Sequence, residues 1–261
     1  MTRPLYTLAA MPPKATLVTD NAILPLRTRF RQEMNCQIVH DSIHTRRGWT
    51  SSYELQLDGT AGFGAIAIAG PWTNKPTIFE FYVLPEYRSR AFDLFEAFVD
   101  ASAARYMEIQ SNDTVLAVML HTYACDIRSE KIVFADELTT ALPANGAVLQ
   151  QLTSDEEIHL SIAERAGQAE WQLQVDGQPA GNGAILFHYN QPYCDLAMEI
   201  AEPFRRRGFG SYLVQELKRA AYQLGSLPCA RCNPDNVASR RTLQRAGLVP
   251  FAHILNGTIA G

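Results

Sequence analysis

The sequence predicts a mixed α/β fold, with helices packed on a mixed sheet, in which one type of domain occurs twice. A strand pattern at Asp195–Ala201 precedes a basic turn with glycines and then an amphipathic helix. A strand-rich segment that begins at Tyr53 recurs from Trp171. The chain has 261 residues, 47% of them hydrophobic, which is enough for one large core or two small ones.

Composition limits the classes of partner and the cellular compartment. The net charge of -4 gives the protein no general electrostatic reason to bind nucleic acid. No apolar run approaches the roughly 20 residues of a membrane span, and the N-terminal apolar stretch is interrupted by Pro12 and Pro13. An odd number of cysteines, five, argues against a disulfide framework. We therefore expect a cytoplasmic protein with neither a nucleic-acid nor a membrane partner; the sequence leaves open whether it forms a homodimer.

The first half of the chain begins with a long helical segment, residues 21–47. His40 and His44 are four residues apart in it and would share a helix face. That spacing suits a metal, but no third ligand is evident, so we predict a polar helix face and no metal site. The following elements are predicted as strands at Tyr53–Gly59, Gly64–Ala69 and Thr77–Leu84 and as helices at Phe92–Tyr106 and Asp113–Tyr123.

An internal repeat indicates a tandem architecture. The segment Tyr53–Ile66 aligns with Trp171–Ile185 after one inserted residue. Nine positions are identical: Leu55, Gln56, Asp58, Gly59, Ala61, Gly62, Gly64, Ala65 and Ile66. Further along, Glu86–Asp93 falls on Pro203–Gly210. We predict domains at 1–135 and 146–261, joined by a linker near Ala135–Gly146.

The basic turn of the second half has the chemistry of a diphosphate site. A helix start offers unbonded N–H groups and a partial positive charge. Gly208 and Gly210 have no Cβ, so a phosphate can approach the backbone closely. Arg205, Arg206 and Arg207 would add charge-assisted hydrogen bonds.

Two spaced signatures carry a family resemblance. Arg205-x-x-Gly208-x-Gly210 resembles the Arg/Gln-x-x-Gly-x-Gly/Ala loop of the GNAT N-acetyltransferases, which cradles the pyrophosphate of acetyl-CoA. Asn236-x-x-Ser239-x-x-Thr242-Leu243-x-x-x-Gly247-Leu248 resembles the second GNAT signature, whose helix lies beside the pantetheine arm. The resemblance covers about residues 147–256 and implies two tandem GNAT-like domains, the first of them degenerate.

The resemblance also implies the residues of the site. Those expected to bind the co-substrate acetyl-CoA are Ile200, Ala201, Arg205, Arg206, Arg207, Gly208, Phe209, Gly210, Ser211, Asn233, Asn236, Ser239 and Arg240. A backbone N–H near Ile200 or Ala201 would hold the thioester carbonyl. Asp195 and Glu199 share a strand face and are the candidate catalytic bases, although ion pairing with arginines is the alternative for each, and the favoured one for Asp195. Leu243 replaces the tyrosine that usually protonates the leaving sulfur.

The second half is expected to contain a helix at Ser154–Ala166, opened by a capping box, and strands at Leu227–Cys232 and Leu248–Leu255. A complete GNAT sheet normally has two strands after the last helix, and only one is evident here. The sequence leaves open whether the other strand is missing or is provided by the first half.

The predicted function is acetyl transfer from acetyl-CoA to the primary amine of a small molecule or peptide. The alternative is an acyl-CoA-binding regulatory or sensor module without turnover, which the absent tyrosine keeps open. We expect the acceptor between the halves, near His40, Asp41, His44 and Glu199, because residues 33–47 are too polar for a wholly buried helix. The first half has Ala91 and Asp93 in place of the two glycines, so we expect it to bind no CoA.

Overall fold

The computed structural model describes residues 11–35, 41–152, 168–187 and 190–260. The strands are β1 (Lys14–Val18), β2 (Thr50–Gln56), β3 (Thr60–Ala67), β4 (Thr77–Val83), β5 (Tyr106–Gln110), β6 (Ala124–Asp136), β7 (Ala147–Gln151), β8 (Gln168–Val175), β9 (Gln178–Leu186), β10 (Tyr193–Ile200), β11 (Leu227–Cys232) and β12 (Leu248–Ile259). The helices are α1 (Asp20–Glu33), α2 (Asp41–Thr45), α3 (Ala91–Ser102), α4 (Thr114–Tyr123), α5 (Phe209–Gln223) and α6 (Val237–Arg245).

The described strands form one 12-stranded sheet, in the order β1-β2-β3-β4-β5-β12-β6-β11-β10-β9-β8-β7. The pairs β4–β5 and β10–β11 are parallel, and every other neighbouring pair is antiparallel. The two ends of the sheet therefore repeat the same arrangement of five strands, as the internal sequence repeat predicts.

The centre of the sheet shows a reciprocal exchange of strands. β12, from the end of the chain, pairs with β5 of the first half, whereas β6, which follows the first five strands, pairs with β11 of the second half. β6 and β12 also pair with each other, from Leu248 opposite Asp136 to Ile259 opposite Ala124. The strand that the second half lacks is thus provided by the first half, and the reverse is also true. The predicted domain boundary at residue 135 falls near the end of β6. It divides the chain there, but the sheet continues across it.

Helices cover both faces of the first half. Phe81 on β4 packs with Leu94 and Phe98 of α3, whereas its neighbour Tyr82 packs with Phe30 of α1. Because successive strand side chains point to opposite faces, α1 and α3 lie on opposite sides of the sheet. In the second half, α5 buries Leu213, Val214 and Leu217 against a core that includes Ile185 and Leu196.

Several elements differ from those predicted. The first helical segment divides into α1 and α2, with residues 36–40 between them outside the described part. The predicted helix at Phe92–Tyr106 ends at Ser102, because Ala103 takes a left-handed φ of 52° and β5 begins at Tyr106. β1, β5, β6 and β7 were not predicted as strands. The helix predicted at Ser154–Ala166 lies outside the described residues.

Candidate functional site

The start of helix α5 has no side-chain cap. β10 leads through a short 3₁₀ turn, Glu202–Phe204, to Gly208, which is the N-cap of α5 with a φ of 89°. Such a φ is strained for residues with a Cβ. Since glycine has no side chain, the N-cap provides no side-chain hydrogen bond to the first N–H groups of the helix. A Cβ added at Gly208 would meet nothing within 4 Å. Open space therefore borders a helix end that has unbonded donors.

The two glycines of the turn have different roles. A Cβ added at Gly210 would lie 3.3 Å from Cγ2 of Thr242 and 3.5 Å from Cε of Met198. Gly210 thus allows close packing of α5 against α6 and β10. Gly208 instead leaves room in front of the helix, so the expectation of a close phosphate approach rests on Gly208.

The three arginines of the turn are exposed and are held differently. Arg205 donates from Nε to the carbonyl oxygen of Ile200 at 2.8 Å, and its Nη2 lies 3.6 Å from Oε1 of Glu199. The guanidinium of Arg207 lies over the rings of Phe204 and Phe209, with centroid distances of 5.7 Å and 5.0 Å. The turn that leads into the uncapped start of α5 therefore has three positively charged side chains.

A split in the sheet leads away from this helix start. β10 and β11 are paired only where Tyr193–Asp195 faces Leu227–Cys229, and they diverge beyond that point. The N–H of Ala201 donates to the carbonyl oxygen of Ala180 at 2.9 Å. Since hydrogen-bonding direction alternates along an antiparallel strand, the N–H groups of Met198 and Ile200 point to the opposite edge, into the split.

This geometry corrects one predicted role. The expected donor to the thioester carbonyl was a backbone N–H near Ile200 or Ala201. The N–H of Ala201 is already bonded to β9, whereas the N–H of Ile200 faces the split.

The second signature forms helix α6 and its cap. Oδ1 of Asn236 accepts a hydrogen bond from the N–H of Ser239 at 2.9 Å, so Asn236 is the N-cap. Oδ1 of Asn233 accepts from Lys131 on β6, and Ser239 and Arg240 are partly exposed. Leu243 is only 4% exposed and belongs to the core below α6. No phenol stands at that position to protonate a leaving sulfur.

Asp195 and Glu199 project from the same face of β10 into very different surroundings. Asp195 is buried, and its Oδ2 accepts from Nε and Nη2 of Arg231 at 3.0 Å and 2.8 Å. Its Oδ1 is buried without a hydrogen-bond partner. Burial raises the pKa of the Asp195 carboxyl, although Arg231 opposes the shift. The side chain of Glu199, in contrast, is 81% exposed.

The acceptor residues predicted in the first half form a structural network. Arg27 donates to both carboxylate oxygens of Glu80, each at 3.0 Å, and Nε2 of His44 lies 2.8 Å from the same carboxylate. Asp41 pairs with Arg27 and Arg31. Burial alone would raise the pKa of Glu80, but Arg27 and His44 outweigh it and hold that pKa far below its usual range. These contacts fasten α1 and α2 to β4.

The same residues do not meet Glu199, which corrects their predicted placement in one site. Asp41 and His44 contact residues on or near β4, and Glu199 lies on β10, five strand positions away in the sheet. At about 4.8 Å per strand the separation along the sheet is about 24 Å. His40 lies outside the described residues.

The first half has a turn of related geometry but a different helix start. Nε of Arg88 donates to the carbonyl oxygen of Val83 at 3.2 Å, as Arg205 does to Ile200. Ala91, however, has a right-handed φ of −61°, and Arg90 pairs with Asp93 in the first turn of α3. Arg88 pairs with Glu33 of α1. Both basic side chains of this turn thus have acidic partners within the first half.

The cysteine pair of β11 is not arranged as a metal or redox site. Cys229 packs with Val133 and Ala252, whereas Cys232 belongs to the core below α5. Their thiols therefore face opposite sides of the sheet, as their spacing predicts. Over the described ranges, no three His, Cys, Asp or Glu side chains are grouped as metal ligands.

Sequence reasoning missed Arg231 as the partner of Asp195. The signal was the presence of opposite charges on two predicted strands, but their register could not be known from the sequence. It also missed Asn190, which precedes β10 and is buried with only 2% exposure.

None of the described helices has the length and apolar character needed to cross a membrane.

Comparisons with known proteins find one matching family model and several similar folds. Residues 128–249 match the family model described as acetyltransferase (GNAT) domain. A GNAT-family acetyltransferase from Colwellia psychrerythraea superposes with a TM-score of 0.73 at 12% identity, covering 95% of this chain and 100% of its own. A tandem GNAT protein from the clavulanic acid biosynthesis pathway gives 0.60 at 14% identity, with 95% and 99% coverage.

A third solved structure, the GCN5-related N-acetyltransferase from Sphaerobacter thermophilus, gives a TM-score of 0.55 at 14% identity and covers 95% of this chain and 96% of its own. No curated protein sequence matches the chain. At these identities the superpositions show the fold alone, which this chain shares with GNAT proteins that include a tandem one. The family model matches residues 128–249, a little less than half of the chain.

Proposed function

We propose that this chain, a tandem GNAT-fold acyltransferase, uses its C-terminal half to move an acetyl group from acetyl-CoA to a primary amine. The acceptor is a small molecule or a peptide. The N-terminal half binds no CoA and instead contributes to the acceptor side of the site.

The uncapped start of α5 carries the proposal. A diphosphate placed there accepts hydrogen bonds from the backbone N–H groups that follow Gly208 and meets the positive end of the helix dipole. The side chains of Arg206 and Arg207 add charge, while Arg205 holds the end of β10 through the carbonyl of Ile200. The corresponding turn of the first half lacks the left-handed glycine, and its arginines are paired with acids.

The split between β10 and β11 suits the remainder of the co-substrate. An extended arm that contains amide groups can lie along the free edge of β10, where the N–H groups of Met198 and Ile200 offer donors. That path runs from the diphosphate site back along β10 toward Asp195. The thioester then lies on the same strand as the buried carboxylate.

Asp195 fits the role of the base better than Glu199 does. The free Oδ1 of Asp195 has no hydrogen bond to give up, and its raised pKa increases its affinity for a proton. The amine nitrogen attacks the carbonyl carbon, a C–N bond forms, the amine proton passes to Asp195, and the C–S bond breaks to release CoA. A thiol with a pKa of about 8.5 can leave as the thiolate, so Leu243 at the usual acid position does not prevent turnover.

The direct test measures release of free CoA thiol from acetyl-CoA in the presence of a panel of primary amines and short peptides. We expect thiol release that depends on the amine and forms one acetylated amine for each thiol. Binding of acetyl-CoA without thiol release for any acceptor would favour the sensor module instead. No binding at all would remove the basis of the assignment.

A further inference from the structure

A polar cavity lies where the two halves meet. It has a volume of about 330 Å³ and is lined by the last turn of α1, by Asn35, and by the residues 190–193 that lead into β10. This volume is at the lower end of the range of about 300–1,000 Å³ that is usual for ligand pockets. Each half contributes one wall.

The walls are held by hydrogen bonds. The hydroxyl of Tyr193 donates to Oδ1 of Asn35 across the boundary between the halves. The N–H of Tyr193 donates to the carbonyl oxygen of Asn190 at 2.7 Å, and the N–H of Leu227 donates to that of Pro192 at 2.8 Å. The turn that carries Asn190 is thus fixed to β11 and to the first half.

The side-chain amide of Asn190 is the unusual feature of this cavity. The residue is only 2% exposed, and neither Nδ2 nor Oδ1 has a hydrogen-bond partner. Leaving a buried polar group unpaired costs about 1–3 kcal/mol. Nε of Arg31, on the opposite wall, is also buried without a partner, while its Nη2 pairs with Asp41. Two residues that line the cavity therefore have two donor atoms and one acceptor atom without partners.

The complement of these groups is an amide. In an extended peptide the N–H and C=O of one residue point to the same edge, so the N–H can donate to Oδ1 of Asn190 while the C=O accepts from Nδ2, which satisfies both atoms. A carboxylate offers only acceptors and would leave Oδ1 unpaired. A second carbonyl oxygen from the same ligand would satisfy Nε of Arg31.

One residue that lines the cavity lies close to Asp195, the proposed base, on the same strand. Tyr193, which lines the cavity, and Asp195 lie two residues apart on one face of β10, about 6.7 Å along the strand. An extended peptide advances about 3.3–3.6 Å per residue. An amine at Asp195 would therefore have an amide of its own chain near Asn190 one or two residues further on.

We propose that the acceptor is a peptide-like amine, whose amide nearest the reacting amine is recognised by Asn190 with help from Arg31. This inference rests on the proposed acetyl transfer and names its acceptor class. It also gives the N-terminal half a specific contribution, because Arg31 and Asn35 belong to that half.

The test compares acceptor amines that differ in a single hydrogen-bond donor, one amide N–H. Glycylglycine methylamide and glycylglycine methyl ester are nearly the same size, but the ester lacks the last N–H; glycine methylamide and its methyl ester probe the nearer position. We expect kcat/KM for the amide to exceed that for the ester by about tenfold or more at one of these positions. Equal use of amide and ester at both positions would overturn the proposal.

Substitutions of Asn190 test whether this residue is the source of the preference for amide over ester acceptors. Asn190→Leu should abolish the preference for the amide and leave the affinity for acetyl-CoA unchanged; Asn190→Ala repeats the test if the larger side chain disturbs the turn. Gln223→Leu makes the same kind of change at an exposed position of α5 and should retain the preference. A preference that persists in both Asn190 variants would contradict the assignment.

A measurement without turnover separates this inference from the proposed function. The N-acetylated glycyl and glycylglycyl methylamides should bind more tightly than the corresponding esters in calorimetry, and the difference should disappear in Asn190→Leu. If that holds but no acetyl transfer occurs, the proposed function fails and the amide site stands. If transfer occurs but amides and esters bind equally, the amide site fails and the proposed function stands.

Discussion

Nε of Arg205 donates a 2.8 Å hydrogen bond to the carbonyl oxygen of Ile200, and this contact holds the basic turn against the end of β10. Arg88 and Val83 make the related contact at 3.2 Å in the first half. The two halves share this support of the turn and differ in the start of the next helix. Gly208 leaves the start of α5 open, whereas the corresponding Ala91 continues into α3 with a right-handed backbone.

Gly208→Asp should abolish detectable binding of acetyl-CoA while the protein stays folded. The new carboxylate would stand where the diphosphate is placed, and charges about 4 Å apart repel by about 1–4 kcal/mol at dielectric constants between those of water and the protein surface. The measurement is calorimetric titration, with circular dichroism to check folding.

Gly48→Asp is the matched control, since Gly48 also has a positive φ, 76°, and open space around an added Cβ. It introduces the same charge and a similar backbone strain far along the chain from α5. Affinity lost equally in both variants would assign the effect to strain or net charge instead of to the α5 site.

Asp195→Asn should lower kcat by about 10²–10⁴-fold, the usual contribution of a general base, and leave the dissociation constant of acetyl-CoA nearly unchanged. Glu199→Gln should change kcat little, because Glu199 is largely exposed and its carboxylate lies 3.6 Å from Arg205. Steady-state kinetics at saturating acetyl-CoA measure both. The reverse order of effects would make Glu199 the base.

Asp113 should make the stability of the protein depend on pH. Burial raises its pKa to about 7, and it caps α4 by accepting from the N–H of Leu116. Because the native state holds this proton more tightly than the unfolded chain does, the free energy of unfolding should fall as pH rises from about 4 to about 7. The total loss from this group is up to about 4 kcal/mol.

Asp113→Asn keeps the capping oxygen but cannot ionise, so it should remove this part of the loss and raise stability at pH 8. Denaturant unfolding from pH 4 to pH 8 measures the effect. Asp100→Asn, a change at an exposed position of α3, is the control. The same pH dependence in wild type and Asp113→Asn would show that another group is responsible.

The strand exchange predicts that neither half is independent. A fragment of residues 137–261 lacks β6, so it would expose the edges of β11 and β12 that β6 covers in the whole chain. We expect this fragment to aggregate or to remain unfolded, and co-expression with residues 1–136 to restore acetyl-CoA binding. Size-exclusion chromatography decides between the outcomes; a folded monomer of the fragment with full affinity would contradict the prediction.

The sequence supports prediction of the local architecture around Gly208 because that architecture depends on neighbouring residues. Glycines, arginines and an apolar helical pattern occur together there, and the repeat correctly indicated a tandem fold. The sequence could not reveal that β6 and β12 exchange places, since strand order depends on contacts between distant segments. β6 itself was missed because the first part of the strand is mostly polar and exposed, so it lacks the apolar pattern of a buried strand.

The site was harder to predict where register decides the chemistry. Asp195 and Arg231 meet only because Asp195 lies opposite Cys229 in the β10–β11 pair. The N–H of Ala201 was a predicted donor to the thioester, but in the structure it donates to the carbonyl oxygen of Ala180. The direction of this N–H follows from the pairing of β10 with β9, which the sequence does not reveal. Asp41 and His44 were predicted as site residues because polar side chains are rarely buried, but the buried pair of Arg27 and Glu80 accounts for them.

Titration of the intact chain with acetyl-CoA tests the central claim most directly. We predict saturation at one equivalent per chain and no binding to Gly208→Asp. The reason is that Gly208 leaves open space before α5, whereas the first turn of α3 has Ala91 with a right-handed backbone and an Asp93 that pairs with Arg90. Saturation at two equivalents, or one equivalent that survives Gly208→Asp, would contradict the assignment of the co-substrate to the C-terminal half.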